Sequence, residues 1–465
     1  MAVRKHRHRP LATAAALLAT LTPAAAQRVP PADNARYARA VAAGYKAAVT
    51  CSGVFEAGRT PAQIDAEELH GIYPEYDAIV PTLKATVFEQ LTFVQVPWDD
   101  AMQPRIAIHA PGSGCTLLPI GTDPTGLFPI PEGMWRLTRP AGASPIAWPM
   151  GDAGIRPRPS RELATAVAHA FDGATYGAGH TTGVVVLRDG QVAAERYAAG
   201  WGPFTANRTW SAGKSIAGTL VGLAGVDPAQ PATVPEWSQR GYADPRARIT
   251  LDNLLRMASG LHSDTAGNRT DAIYFGGTAV TEQTTGWPLE TKPGTRFRYA
   301  NNDILLAVRA LRATLGNDRY EAFPRTALFE PLGMRHTVAE RDWRGNYIMS
   351  SQVWSTARDL ARLGQFWLQD GVWEGKRMLP DGWVRYMTTP SGPQPAEGPG
   401  YGATTWLFGA KQGLPDGSYA AQGNRGQYVM VIPSAKLVVV RRGEDGGAAR
   451  FDIARFAADV LAASR

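Results

Sequence analysis

Thr209-Trp210-Ser211-Ala212-Gly213-Lys214-Ser215 runs directly into Ile216-Ala217-Gly218-Thr219-Leu220-Val221-Gly222-Leu223-Ala224. The second stretch is apolar, free of proline and of helical length, so the spacing predicts a helix that begins near Ser211. Three residues is close to one helical turn, which puts the Lys214 amine on the same face as the Ser211 hydroxyl and within its reach. A serine is a poor nucleophile until a neighbouring base takes its proton. At a helix N-terminus, unpaired N–H groups and the positive end of the dipole favour negative charge developing nearby, as in the oxyanion of an acyl transfer.

Upstream, Thr182–Arg188 and Gln191–Tyr197 flank Asp189-Gly190, a two-residue hairpin turn, and are predicted to form a strand pair; a helix is expected before it, over Ser160–Phe171. Downstream, helices are predicted at Ile249–Ser259, Ile304–Leu315, Tyr320–Leu328, Ala357–Gln369 and Gly382–Tyr386, with a loop over Leu261–Glu290. Strands return at Gln427–Pro433 and Lys436–Arg442, and Phe451–Ala463 reads as a closing amphipathic helix. Strand pair, helical insert, strands and helix fit an α+β sandwich in which one antiparallel sheet is built from both ends of residues 160–465 and flanked by the terminal helices.

The chain has 465 residues, too many for one ordinary core, and 44% hydrophobic with 19% charged residues describes a well-packed globular protein. Residues 1–26 read as a signal peptide: Arg4, Lys5, Arg7 and Arg9 precede a short apolar run, Leu11–Leu21, with a cleavage site after Ala26. The run is too short to span a bilayer, so a periplasmic or secreted product without stable membrane insertion is expected. Removing those residues lowers the net charge from +7 to +3, too little to argue for a nucleic-acid partner.

Residues 27–155 read as a small α+β extension and connector: a helix over Asp33–Val49 leading into Cys51, a shorter helix at Pro61–Leu69, a strand over Thr86–Val96 and a second over Arg105–His109. Cys51 and Cys115 are the only cysteines, and export places them where a disulfide persists. Closing that loop is expected to stabilise the fold by roughly 4 kcal/mol in the chain-entropy model. Pro119–Pro159 reads as a surface connector, and the extension carries no catalytic spacing.

Two further motifs follow the serine. Tyr299-Ala300-Asn301 lies at a helix start, and Gly423-Asn424-Arg425-Gly426-Gln427 at a strand entry. Ser-x-x-Lys and Tyr-x-Asn each occur once in the chain, the latter among 15 tyrosines, so their joint presence in this order is unlike a chance pairing of solvated polar residues. Together these stretches resemble the three ordered motifs of the serine β-lactamases and penicillin-binding proteins, in the class C and esterase branch. Leu254-Leu255-Arg256-Met257-Ala258-Ser259-Gly260-Leu261, Pro293-Gly294-Thr295 and Leu328-Phe329-Glu330-Pro331-Leu332-Gly333-Met334 support the resemblance, which covers about residues 160–465. Within the family the chain is most similar to the 6-aminohexanoate-dimer (nylon oligomer) hydrolases and their esterase relatives.

The resemblance implies that Ser211 is the nucleophile, that Lys214 and Tyr299 move protons, and that Asn301 positions Lys214 or the substrate. Whether Lys214 or Tyr299 is the resting base stays open at this stage. Ala421-Gln422-Gly423 aligns with the family's Lys/His-Thr-Gly, and both the basic residue and the hydroxyl are missing here. Gly423 permits close backbone approach, and the N–H of Asn424 is expected to complete an oxyanion hole with that of Ser211. Arg425 is read either as a replacement cation or as a surface arginine at a strand start.

Loss of the motif's cation favours small neutral esters or linear amides over β-lactams and D-Ala-D-Ala peptides, which bear a carboxylate. The alternatives are a β-lactamase or D-Ala-D-Ala carboxypeptidase and, from another class, a non-catalytic binding protein on the same fold. No Gly-x-Ser-x-Gly elbow surrounds Ser211, no His-Glu-x-x-His is present, and no metal or other cofactor is implied. His262 reads as a structural histidine at a helix end, while Tyr274, Trp287, Trp354 and Trp406 are candidate pocket aromatics.

Overall fold

The computed structural model describes residues 31–123, 142–238, 243–263 and 270–464. The signal-peptide reading of residues 1–26 and the middle of the connector lie outside them. The elements that build the molecule, in chain order, are α1 Pro31–Phe55, α2 Pro61–Glu67, β1 Thr86–Phe88, β2 Phe93–Val96, β3 Arg105–Ala110, β4 Gly114–Leu117, α3 Arg161–His169, β5 Thr181–Arg188, β6 Gln191–Tyr197, β7 Asn207–Arg208 and α4 Gly213–Leu223. There follow α5 Leu251–Leu255, α6 Asn301–Leu315, β8 Val338–Ala339, β9 Val353–Ser355, α7 Ala357–Leu368, β10 Gly400–Tyr401, β11 Trp406–Phe408, β12 Ser418–Gly423, β13 Gln427–Ile432, β14 Leu437–Gly443 and α8 Ile453–Ala463.

The main sheet is antiparallel with strand order β10-β11-β12-β13-β14-β5-β6, so strands from both ends of the second unit meet where β14 pairs with β5. Side chains alternate across a strand, and here both faces are covered. Val184 and Val186 point, with Met430 and Val439, toward Leu163 and Val167 of α3 and Phe456 and Val460 of α8. Val185 and Leu187 point with Val429, Val431, Val438 and Val440 toward the helices α4, α6 and α7. This two-sided burial is why the strands read as continuous apolar runs rather than alternating ones. Helix α7 reaches the sheet through Gly364, where a Cβ would stand 2.5 Å from a Val438 methyl.

Several elements depart from the sequence reading. Helix α1 does not stop before Cys51 but carries it and continues to Phe55. The strand expected over Thr86–Val96 is a tight hairpin, β1 and β2, interrupted by a 3-10 turn at Glu89–Leu91 with Thr92 at φ 48°. The helix expected over Ile249–Ser259 closes after Leu255, because Met257 turns into the left-handed region at φ 59°. The loop Leu261–Glu290 contains short helices at Asp271–Tyr274 and Val280–Gln283.

In the extension, β1-β2-β3-β4 form an antiparallel meander on which α1 packs, and a disulfide joins Cys51 of α1 to Cys115 of β4. Its core continues into the second unit through Trp210, Ile273, Tyr274, Phe275, Leu305 and Ile348. The extension therefore abuts the chain around Ser211. No described helix is long and apolar enough to cross a membrane.

Candidate active site

Strand β7 pairs with β9, and the Thr209 N–H donates to the Val353 carbonyl at 2.7 Å, which fixes the approach to the serine. The chain then turns sharply: Trp210 sits at φ 51°, a conformation that costs a non-glycine residue about 1–3 kcal/mol and persists only where the surroundings enforce it. Ser211 follows inside a one-turn 3-10 segment, Trp210–Ala212, and α4 begins at Gly213. The serine thus stands just ahead of the helix rather than in its first turn, while Lys214 lies within that turn.

Lys214 is 1% exposed, and its Nζ makes three contacts: 2.9 Å to Ser211 Oγ, 2.6 Å to Asn301 Oδ1 and 2.9 Å to the Ser350 carbonyl. No carboxylate pairs with it among the described residues. Burial, with the Arg208 charge adding to it, holds the Lys214 amine well below the ordinary lysine range. A neutral amine has two N–H donors and one lone pair. In that form its two N–H groups serve Asn301 Oδ1 and the Ser350 carbonyl, and a lone pair remains for the Ser211 hydroxyl.

Tyr299 enters from the extended segment before α6, held where the Arg298 N–H donates to the Met257 carbonyl at 2.8 Å and the Ala300 N–H donates to Met257 Sδ at 3.4 Å. Its hydroxyl hydrogen-bonds Ser211, its ring centre is 4.9 Å from Lys214 Nζ, and Trp406 and Tyr401 flank it at 5.4 and 6.0 Å. Burial raises its phenol above the ordinary tyrosine range. At neutral pH this group carries its proton.

The third motif closes on the serine turn by backbone contact. A Cβ on Gly423 would lie 2.1 Å from the Thr209 carbonyl oxygen and 3.1 Å from Trp210 Cβ, so a glycine is required there for β12 to end against this turn. Asn424 is the next residue, and its Oδ1 accepts the Arg425 N–H at 2.9 Å. Ala421 is buried in the strand.

Arg425 corrects both of its sequence readings. It is neither a surface residue nor a cation facing the serine: it is buried, ion-paired to Glu444 and, at 3.4 Å, to Glu68 of the extension, and it also donates to the Glu67 carbonyl. Carbonyl or carboxylate oxygens of four residues, Glu67, Glu68, Glu444 and Asp445, hold its guanidinium in the junction with α2. Nothing in the local sequence carries this, because Glu68 lies 357 residues away.

Among the aromatic candidates, only Trp406 stands beside Tyr299. Tyr274 is buried beneath the site with its hydroxyl 2.6 Å from Ser350 Oγ, Trp354 is buried with Ala57 and Ala206, and Trp287 packs on His262. His262 itself pairs with Glu290. Three residues were not singled out by the sequence. Ser350 supplies the carbonyl on Lys214, Asp303 bonds Ser259 Oγ at 2.8 Å and braces α6 against the Met257 loop, and Arg208 lies buried three residues before the serine. Asp303 was legible only as an acidic residue in the first turn of a helix; its carboxyl is pushed up to about 7 by burial. Among the described residues, no group of three or more His, Cys, Asp or Glu side chains could hold a metal ion.

The β-lactamase family profile matches residues 163–462, nearly two-thirds of the chain. The 6-aminohexanoate-dimer hydrolase of Paenarthrobacter ureafaciens is 29% identical over 302 residues, which cover 56% of this chain and 72% of that protein. A Bacillus anthracis structure described as a 6-aminohexanoate-dimer hydrolase superposes with a TM-score of 0.50 at 20% identity, covering 61% of this chain and 78% of its own. A Bacteroides dorei structure described as a β-lactamase gives 0.52 at 19% identity, covering 65% of this chain and 96% of its own. These two share the fold. With the family profile spanning the sheet, the helical insert and all three motif stretches, the chain belongs to the β-lactamase family of serine hydrolases.

Proposed function

We propose that the protein hydrolyses small neutral esters or linear amides through an acyl-enzyme on Ser211. The observation that carries this reading is the place of Lys214: buried, with Ser211 Oγ, Asn301 Oδ1 and the Ser350 carbonyl all within hydrogen-bond distance of its Nζ, so that as a neutral amine it keeps a lone pair for the serine. Lys214 is then the resting base. It takes the Ser211 proton as the hydroxyl oxygen attacks the carbonyl carbon, and the backbone N–H groups of Ser211 and Asn424 receive the oxyanion. Tyr299, a protonated phenol beside the same oxygen, passes a proton to the leaving alcohol or amine and regains one from Lys214. A water then attacks the acyl-enzyme by the same route in reverse. Asn301 holds Lys214 through its side-chain oxygen. A linear 6-aminohexanoate dimer, which the name of the Paenarthrobacter relative suggests, fits as an amide whose carboxylate lies a whole pentamethylene chain beyond the scissile nitrogen, whereas that of a β-lactam or D-Ala-D-Ala peptide sits beside it.

A β-lactam or D-Ala-D-Ala peptide is disfavoured, because Ala421 stands where the family's motif has a cation and Arg425 is committed to Glu444 and Glu68. Export of the mature chain after Ala26 belongs to the same proposal, and the disulfide is compatible with an oxidising compartment. The test is Ser211→Ala assayed on a p-nitrophenyl ester, 6-aminohexanoate dimer and a penicillin. Turnover of the ester is expected to fall by at least about a thousandfold with the circular dichroism unchanged. Retained ester turnover would sink the assignment, and a preferred penicillin would move it to the β-lactamase alternative. Tight ligand binding with no labelling of Ser211 by a fluorophosphonate would favour the binding-protein reading.

A further inference from the structure

We propose that Arg208 is a positioning residue of this site, a buried cation that clamps the Ser211 turn to the Ser350 segment and brings a positive charge without a carboxylate partner to the Lys214 pocket. The inference rests on the reading of Lys214 as base. Arg208 is 2% exposed and lies on β7, three residues before Ser211. Its guanidinium donates to Ser351 Oγ at 2.6 Å and stacks over the Trp210 ring at 3.9 Å, with the rings of Tyr274 at 5.4 Å and Phe275 at 5.9 Å completing an aromatic cradle. These contacts join the two sides of Lys214. Trp210 precedes the nucleophile and holds the left-handed turn, while Ser351 follows the residue whose carbonyl accepts from Lys214.

What separates Arg208 from the other buried arginines is its counter-charge. Arg59, Arg362, Arg425 and Arg441 each pair with a carboxylate, whereas among the described residues none pairs with Arg208. Arg105 and Arg442 also lack one, yet each is held by three or more hydrogen bonds, most of them to backbone carbonyls. Aromatic faces stabilise a guanidinium without cancelling its field.

Below about pH 7 the groups around it do little to cancel it either. From the extension come Tyr73, which the guanidinium hydrogen-bonds, and Tyr45; from the second unit come Tyr274 and Glu340. Burial holds the three phenols protonated, and it pushes the Glu340 carboxyl up to about 7. Facing Lys214 itself are Ser211, Asn301, Tyr299 and the Ser350 carbonyl, all uncharged at neutral pH, while Asp303 on α6 is bonded to Ser259. Arg208 is therefore the cation whose field reaches the amine, and it opposes the ammonium form.

The experiment compares wild type, Arg208→Met and Arg208→Lys, using kcat/KM for p-nitrophenyl acetate from pH 5 to 10 on the full mature chain. Loss of the charge in Arg208→Met is expected to move the acidic limb upward by about one unit or more. Arg208→Lys keeps the charge, so its limb stays in place. Its plateau kcat is expected to fall at least about tenfold, because a compact ammonium cannot both stack on Trp210 and reach Ser351. An unmoved limb in Arg208→Met, or wild-type kinetics in Arg208→Lys, would overturn the proposal. If circular dichroism shows Arg208→Met unfolded, the Arg208→Lys plateau decides alone. Fluorophosphonate labelling of wild type and Ser211→Ala runs in parallel: wild-type labelling that Ser211→Ala loses upholds the hydrolase reading whatever the arginine variants do.

Discussion

Asn301 differs from an aspartate by one group, and in the proposed mechanism that group sets the working form of Lys214. The amide oxygen accepts an N–H at 2.6 Å without contributing a full negative charge, so burial is free to keep the amine neutral. Asn301→Asp would place a carboxylate at that distance, which favours the ammonium; the base then forms only at higher pH. The acidic limb of kcat/KM is expected to move upward by about 1–3 units, with activity at pH 7 falling at least about tenfold and partly recovering near pH 10. A limb that stays in place would show that Lys214 is not the titrating base. At this scale the sequence was informative where the partners are local. Ser211 and Lys214 are one turn apart, and Tyr299 and Asn301 are two residues apart. The fates of Arg425 and Arg208 were not legible, since both depend on residues of the extension or of the segment near Ser350 that fold against them from far along the chain.

Among the elements, α4 carries the amine and is packed on every side, from Gly213 through Gly222. Its apolar run and length were plain in the sequence, as were the β5–β6 hairpin, closed by Asp189-Gly190, and the paired β13 and β14. The sheet's far edge was not. Strands β10 and β11 are two and three residues long, too short for alternation to register, and they exist because β12 offers β11 a partner and β11 in turn pairs with β10. That same edge restrains α4: Ser215 Oγ donates to the Thr404 carbonyl, and Gly218 faces the Thr404 side chain. Gly218→Ala weighs two effects. Helix propensity favours alanine by about 1 kcal/mol, whereas its Cβ would stand 2.3 Å from Thr404 Oγ1 in a buried interface, and overpacking costs about 1–3 kcal/mol. Since Thr404 Oγ1 also donates to the Ala403 carbonyl and cannot swing away freely, the clash wins. A net loss of about 1 kcal/mol is expected in urea unfolding, together with a lower kcat as Lys214 shifts. A more stable variant would mean that the Thr404 loop yields.

For the molecule as a whole, the question is what fastens the extension beside the site. Glu340, next to β8 in the second unit, is buried and accepts from Ser52 Oγ of α1 at 2.5 Å and from the Cys115 N–H of β4 at 3.1 Å, beside the disulfide that joins those two elements. Burial, with the Glu56 charge adding to it, pushes its carboxyl up to about 7 from 4.5. The folded protein therefore holds a proton that the unfolded chain releases near pH 4.5. Where the native state binds more protons, stability falls as pH rises, so this contribution is fully present below about pH 4.5 and lost on approaching pH 7. A shift of this size corresponds to roughly 3 kcal/mol. Glu340→Gln keeps the shape and the acceptor oxygen but cannot ionise. Relative to wild type, the variant is expected to gain about 1–3 kcal/mol in urea unfolding between pH 5 and pH 8, measured with the disulfide intact, while the other carboxyls, common to both proteins, cancel in the comparison. Parallel pH dependence in the two proteins would mean that Glu340 titrates alike in the folded and unfolded chains. Because Glu340 also faces Arg208, its ionisation above about pH 7 would bring a counter-charge toward that cation, which in the proposed mechanism couples the seam of the extension to the Lys214 amine.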